Sequence, residues 1–311
     1  MMAISQLPKN PSLGELKTDH AQLMAKRFFP PYIGLVGLAV NALYRVHQRA
    51  ACRLTMDLLS TALRRKVKPQ HERFYAAGER QVYRCGKHHF YTYRYGQGPA
   101  VLLLHGWCGH GARWIKQVEQ LVAEGFQAIV MDAPGHGRSP GRFLSVPDYI
   151  QCVKTVLDGR TEWHSLLTHS MGSLVGVIAA SECAYVHADT RFVLMNTFAD
   201  CDRLMSKFIR CLGIAEEVLA ATRAYITSYT GKPLSYFSLA DHFQRLNATG
   251  LLISDCNDIV VPPGEAELIL AELPQLTYRP TQGLGHHLRS DALMQEITDF
   301  VKRGRQETPF T

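Results

Sequence analysis

From Arg80 onward, short apolar runs alternate with stretches whose apolar positions recur at helical spacing. The short runs predict strands at 81–84, 89–95, 100–104, 128–132, 165–168, 192–196, 251–254 and 276–279. The later ones are continuous apolar runs, as strands buried on both faces must be. Helices are expected at 113–124, 146–157, 171–184, 264–273 and 290–303. An early hairpin followed by βα units implies an α/β fold. Its sheet is eight-stranded and mostly parallel, with helices on both faces. The stretch 199–247 is too long for a plain loop and carries its own period through Leu204, Phe208, Leu212, Val218 and Leu219. It predicts a small helical cap over the strand ends, where ligands of such sheets bind.

Ahead of this region, apolar residues recur at Leu35, Ala39, Leu43, Val46, Ala50, Leu54, Leu58 and Ala62. No proline interrupts 32–65, so one long helix or two joined ones are expected, ended by Lys68-Pro69. The chain thus divides into an N-terminal helical extension (1–75), an α/β core (76–198 and 248–311) and the cap (199–247).

Composition narrows the class. With 311 residues, 46% hydrophobic and 20% charged, the chain suits a globular protein with a substantial core. The net charge of +7 is mild for this length and does not single out nucleic acid as a partner. Part of it gathers in Arg45, Arg49, Arg53, Arg64, Arg65, Lys66 and Lys68, either a solvated helix face or a surface for anionic lipid or nucleic acid. Residues 28–44 carry no charge, yet they are too few for a spanning helix and include Pro30, Pro31 and Asn41. Two readings stand: a helix burying this face against the protein's own body, or a peripheral membrane or dimer contact through 28–65. The eight cysteines show no C-x-x-C pair and no zinc spacing, which implies reduced thiols, a cytoplasmic setting and no metal. No phosphate-binding glycine frame follows a strand, so no cofactor is expected.

Five motifs stand at strand ends. Leu166-Leu167-Thr168-His169-Ser170-Met171-Gly172 is a strand that breaks into a helix at a serine. A serine there is raised above the sheet, with the helix dipole favouring negative charge nearby. Val101-Leu102-Leu103-Leu104-His105-Gly106-Trp107 is a strand running into His-Gly, with Trp114 further on. Asp132-Ala133-Pro134-Gly135-His136-Gly137-Arg138-Ser139 is a glycine-rich turn, read as structural. Asp255-Cys256-Asn257-Asp258 and Gly283-Leu284-Gly285-His286-His287 follow the last two strands.

Together these motifs resemble the α/β-hydrolase fold family, over about residues 80–303. The resemblance implies Ser170 as nucleophile, Asp258 as acid and His286 as base, in the Ser…Asp…His order of that fold. It implies an oxyanion hole from the backbone N–H groups of Trp107 and Met171, with His105, Gly106 and Gly172 supporting the motifs. Asp255 and Asp200 remain rival acids, and His287 is the neighbouring alternative base. The sequence departs from the family's G-x-S-x-G at its first glycine, here Thr168. A serine rather than an aspartate at the elbow implies acyl transfer. The expected activity is that of a serine hydrolase on a small-molecule carboxylic ester of small or medium acyl length. Thioesterase, acyltransferase or lipid hydrolase chemistry on the same residues, or a non-catalytic membrane-associated protein, are the alternatives. Trp107, Met171, Phe198, Phe208 and Tyr225 are either an apolar acyl pocket or plain cap core.

Overall fold

The computed structural model describes residues 33–62, 64 and 67–306, without the side chains of 304–306. The eight strands are β1 (Glu79–Cys85), β2 (His88–Tyr95), β3 (Ala100–Leu104), β4 (Gln127–Asp132), β5 (Ser165–His169), β6 (Arg191–Met195), β7 (Thr249–Asp255) and β8 (Thr277–Thr281). They form one sheet in the order β1-β2-β4-β3-β5-β6-β7-β8. β1 and β2 pair antiparallel, as do β2 and β4, and every later pairing is parallel. The chain crosses from one side of β3 to the other between β4 and β5. That switch opens a crevice at the carboxyl ends of β3 and β5.

β3, β5 and β6 are buried at every residue, which is why their sequences are unbroken apolar runs. Two cores lie on the two faces of the sheet. One packs α5 (Val146–Leu157), α6 (Met171–Ser181), α9 (Leu239–Leu246) and α10 (Gly264–Glu272). The other packs α4 (Ile115–Ala123) and α11 (Asp291–Gln306).

The boundaries differ from the sequence expectations in instructive places. Residues 113 and 114 belong to a short 3-10 turn, Gly111–Trp114, ahead of α4. Strand β6 stops one residue early because Asn196 turns left-handed, with φ 45°. β8 begins one residue later and ends two residues later than expected, and is a largely exposed edge strand, not an apolar run. Its Pro280 is tolerated because an edge strand leaves one side unpaired.

The N-terminal region is two helices, α1 (Ile33–Val46) and α2 (Gln48–Ser60), broken at His47. The His47 ring accepts a hydrogen bond from Ala50 N–H and caps α2. α2 ends at Ser60, well before Lys68-Pro69, because Thr61 turns extended and bridges Phe143. Leu144 N–H to Ser60 O and Ala62 N–H to Arg142 O complete this clamp.

Between β6 and β7 lie α7 (Cys201–Cys211), α8 (Glu216–Thr230) and α9. α1 and α2 pack on α7 and α8, sharing a third core of Val40, Ala51, Ile209, Leu212, Val218 and Leu219. Gly37 of α1 sits against the main chain of α7's end, where an added Cβ would lie 2.0 Å from Leu212 O. Asn41 fastens the crossing, donating to Gly213 O at 3.0 Å and accepting from Ala215 N–H at 2.9 Å. The apolar stretch therefore buries one face against the protein's own body, as far as the described residues show; positions 28–32 lie outside them. Its opposite face, with Leu35, Leu38 and Val46, is exposed. Among the described residues no helix is long and apolar enough to cross a membrane.

Candidate active site

The crevice at the switch point collects the sequence-predicted residues. Ser170 stands between β5 and α6 with φ 55° and ψ −128°, a conformation unfavourable for a side-chain-bearing residue. Ser170 N–H is held by Met195 O at 2.8 Å. Gly106 and Gly172 are needed by the close approach of chain to chain. A Cβ on Gly106 would come within 2.7 Å of Ser170 Cβ, and one on Gly172 within 2.6 Å of His105 O.

The threonine departure has a structural counterpart. Thr168 donates its hydroxyl to Val193 O at 2.8 Å, so its polar atom is satisfied inside the sheet. Its methyl group faces Gly176 on α6, where a Cβ would lie 3.2 Å from Thr168 Cγ2. The room that a glycine would give on the strand is supplied instead by a glycine on the helix.

His286 lies on a 3-10 turn after β8, and its Nδ1 is 2.7 Å from Asp258 Oδ2. Asp258 is buried, and its other oxygen accepts from Val260 N–H at 2.7 Å and Val261 N–H at 3.0 Å. Those bonds fix the carboxylate plane and so the imidazole orientation. The rivals have other partners. Asp255 accepts from Thr281 Oγ1, Leu284 N–H and Asn257 N–H and so ties the histidine loop to β7. Burial pushes Asp255 up, but these hydrogen bonds outweigh it and hold the carboxyl below its usual range. Asp200 caps α7 by accepting from Arg203 N–H at 2.7 Å. The ring of His287 is exposed, 6.0 Å from that of His286.

Both nitrogens of His105 are used: Nδ1 bonds to Gly106 O at 2.8 Å and Nε2 accepts from Ala133 N–H at 3.1 Å. Burial holds it well below the usual imidazole range. Asp132 holds the glycine-rich turn through Gly111 N–H, Arg138 N–H and the Tyr75 hydroxyl. Burial raises it to about 6. His136 packs edge-on against Trp107, with ring centroids 5.1 Å apart.

Two contributors escaped the sequence reading. Asn196 donates to Gly285 O at 3.1 Å and His286 O at 3.2 Å while accepting from Asp255 N–H at 3.0 Å. His169 donates from Nε2 to His286 O at 2.7 Å. Burial and the nearby Arg113 keep His169 well below the usual imidazole range. The signal for Asn196 was present: an asparagine directly after a buried strand suits a left-handed residue whose side chain bonds locally.

Ser170, His286, Trp107 and Met171 line one cavity of about 1740 Å3. Phe198, Phe208 and Tyr225 line it from the segment after β6, and Ile33, Arg53 and Met56 from α1 and α2. Met171 is the first residue of α6, where helix geometry leaves amides without an intrahelical acceptor.

Comparison with known proteins fits this architecture. The chain is 26% identical to the human serine hydrolase-like protein 2 over 182 residues, 55% of each chain. It is 33% identical to a pimeloyl-[acyl-carrier protein] methyl ester esterase of Vibrio parahaemolyticus over 157 residues, 50% of this chain and 55% of that one. It thus spans about half the length of these two relatives. Among solved structures, an esterase of Pyrococcus furiosus superposes with a TM-score of 0.57 at 15% identity, covering 79% of this chain and 96% of that one. A monoacylglycerol lipase of Paleococcus ferrophilus gives 0.51 at 21% identity, covering 69% and 99%. These likenesses speak to the fold. The family model of the alpha/beta hydrolase fold matches residues 99–288, and the chain belongs to that family.

Proposed function

We propose that this protein is a serine carboxylic ester hydrolase that works through an acyl-enzyme on Ser170. The observation that carries the proposal is the 2.7 Å Asp258–His286 bond, in one cavity with a serine at positive φ. Ser170 Oγ attacks the ester carbonyl while His286 Nε2 takes its proton. The oxyanion is received by Trp107 N–H and Met171 N–H, and the N-terminus of α6 adds favourable potential. The C–O bond then breaks and the imidazolium returns its proton to the departing oxygen. Water repeats the sequence on the acyl-enzyme. Asp258 holds the imidazole in one tautomer and supports the imidazolium as it forms.

Phe198, Phe208 and Tyr225, from the proposed cap side, supply an apolar wall for the acyl chain. The relatives named as methyl ester esterases support an ester over an amide. A panel of p-nitrophenyl esters of graded chain length tests the reading. Turnover of short- and medium-chain esters that Ser170→Ala abolishes is expected; no ester turned over above the buffer rate defeats it.

Eight cysteines with no disulfide among them suit a reducing compartment such as the cytoplasm. The exposed Leu35, Leu38 and Val46, beside Arg45 and Arg49, favour a peripheral contact with anionic membrane. Co-sedimentation with phosphatidylserine vesicles, weakened by a Leu35→Glu/Leu38→Glu pair, is expected. A dimer abolished by that pair, without vesicle binding, would assign the face to a second copy.

A further inference from the structure

The cavity wall beside His286 is cationic and lacks counter-charge. Arg113 lies on the turn before α4, its guanidinium carbon 4.6 Å from the Trp114 ring centroid. Its Nη2 donates to His287 O at 3.1 Å, while its Nη1 is buried without an acceptor. Among the described residues no ion pair engages Arg113, Arg289 or Lys68, and all three line the cavity. Burial, then the neighbouring Arg289 charge, pulls the Arg113 guanidinium down to about 9, so it stays cationic near neutral pH. Of the carboxylates on the cavity wall, Asp291 pairs with Lys116 and Asp148 with His88, while Asp57, on α2, makes no ion pair with Arg113 or Arg289. A buried donor on a charged group is costly without a partner. An anion entering the cavity would offset this uncompensated charge, although Nη1 itself is shielded from solvent.

We propose that Arg113 and Arg289 form an anion site that holds a carboxylate or phosphate on the alcohol portion of the ester. This rests on the esterase reading above. The alcohol side follows from the chemistry: His286 must hand its proton to the departing oxygen, so the leaving group sits on the imidazole side. Arg113 is bonded to the residue after His286, and Arg289 follows three positions later in the same segment. The aromatic wall of Phe198, Phe208 and Tyr225 is left for the acyl chain. In the acylation step the ester C–O bond breaks and the His286 proton goes to the alkoxide. The anion keeps its charge throughout, so the guanidinium holds it unchanged from substrate to product.

The test compares phenyl butyrate with its 4-carboxy, 4-phosphonooxy and 4-trimethylammonio derivatives, each rate divided by its buffer hydrolysis rate. The wild type is expected to favour at least one anionic ester over the neutral one by about tenfold in kcat/KM, the worth of one charge-assisted hydrogen bond. It should disfavour the cationic ester. The comparison of the carboxylate and phosphate arms tells which anion the site takes. Arg113→Gln should erase the ratio and Arg289→Gln should reduce it; a loss from loop disturbance cancels in the ratio. A wild-type ratio at or below one, or a ratio that survives Arg113→Gln, overturns the proposal. Calorimetry of 4-hydroxybenzoate, phenyl phosphate and phenol on Ser170→Ala protein reads the site without turnover. Anion binding lost in the Ser170→Ala/Arg113→Gln protein, with no ester hydrolysed by the wild type, would keep the anion site and sink the esterase reading. Esters hydrolysed with no charge preference would do the reverse.

Discussion

Asn196→Ala removes a buried side chain that joins the acid loop to the histidine loop, and its cost can be worked atom by atom. The carbonyls of Gly285 and His286 each keep a second donor, from Leu288 N–H and His169 Nε2. The Asp255 N–H, by contrast, loses its acceptor, Asn196 Oδ1. A buried donor left unpaired costs about 1–3 kcal/mol. Holding an alanine in the left-handed region, where Asn196 sits at φ 45°, costs roughly 1–2 kcal/mol more. The total, about 2–5 kcal/mol, is a large share of the roughly 5–15 kcal/mol that folded proteins have to lose. Asn196→Gly should cost about 1 kcal/mol less than the alanine, because glycine takes the same dihedral freely. Urea unfolding measures both variants, and ester hydrolysis measures the histidine loop, with activity expected to fall about tenfold or more. An alanine variant within 0.5 kcal/mol (about the spread of a neutral surface change) would refute the reasoning.

Four further outcomes follow from the same geometry. Asp258→Ala should lower kcat by roughly 10⁴ while leaving the fold intact, whereas Asp200→Ala should cost only helix-capping stability of about 1 kcal/mol, read by kinetics and melting together. Gly172→Ala forces a Cβ to within 2.6 Å of His105 O, so activity and stability should both drop, the latter by roughly 1–3 kcal/mol. Gly176→Ala should be worse in the wild type than in Thr168→Ser, and a double-mutant cycle with no coupling would disprove the compensation between strand and helix. Burial lowers His136 to about 4, so the unfolded chain takes up this proton near pH 6.5 while the folded one refuses it. Its stabilising contribution is therefore present above pH 6.5 and lost as pH falls toward 4, about 3 kcal/mol at 1.36 kcal/mol per pKa unit. His136→Gln should flatten that slope in acid denaturation.

Much of this was legible in the sequence because the central strands are buried on both faces. Continuous runs such as Val101–Leu104 admit few other structures, and they run into His105-Gly106, Asp132, Ser170, Asn196 and Asp255. The ends of the edge strand β8 were placed one and two residues early because exposure leaves no apolar run to mark them. The end of α2 was missed because a long-range bridge from Thr61 to Phe143, not a local breaker, stops the helix. Asn41 counted against a spanning helix; its polar atoms in fact dock α1 onto the segment after α7. The cavity wall contributed by α1 and α2 was likewise invisible, since packing between helices so far apart in the chain leaves no local period. No local sequence signal separates Arg113 from the other cations, because the residue it bonds, His287, lies far along the chain.

The central claim is that Ser170 is a nucleophile served by His286. Treatment with a fluorophosphonate, followed by peptide mass mapping, measures this directly. The account predicts one phosphonate adduct, on Ser170, formed in step with loss of ester hydrolysis and greatly slowed in His286→Ala. An adduct on another residue, or none while ester hydrolysis persists, would contradict it.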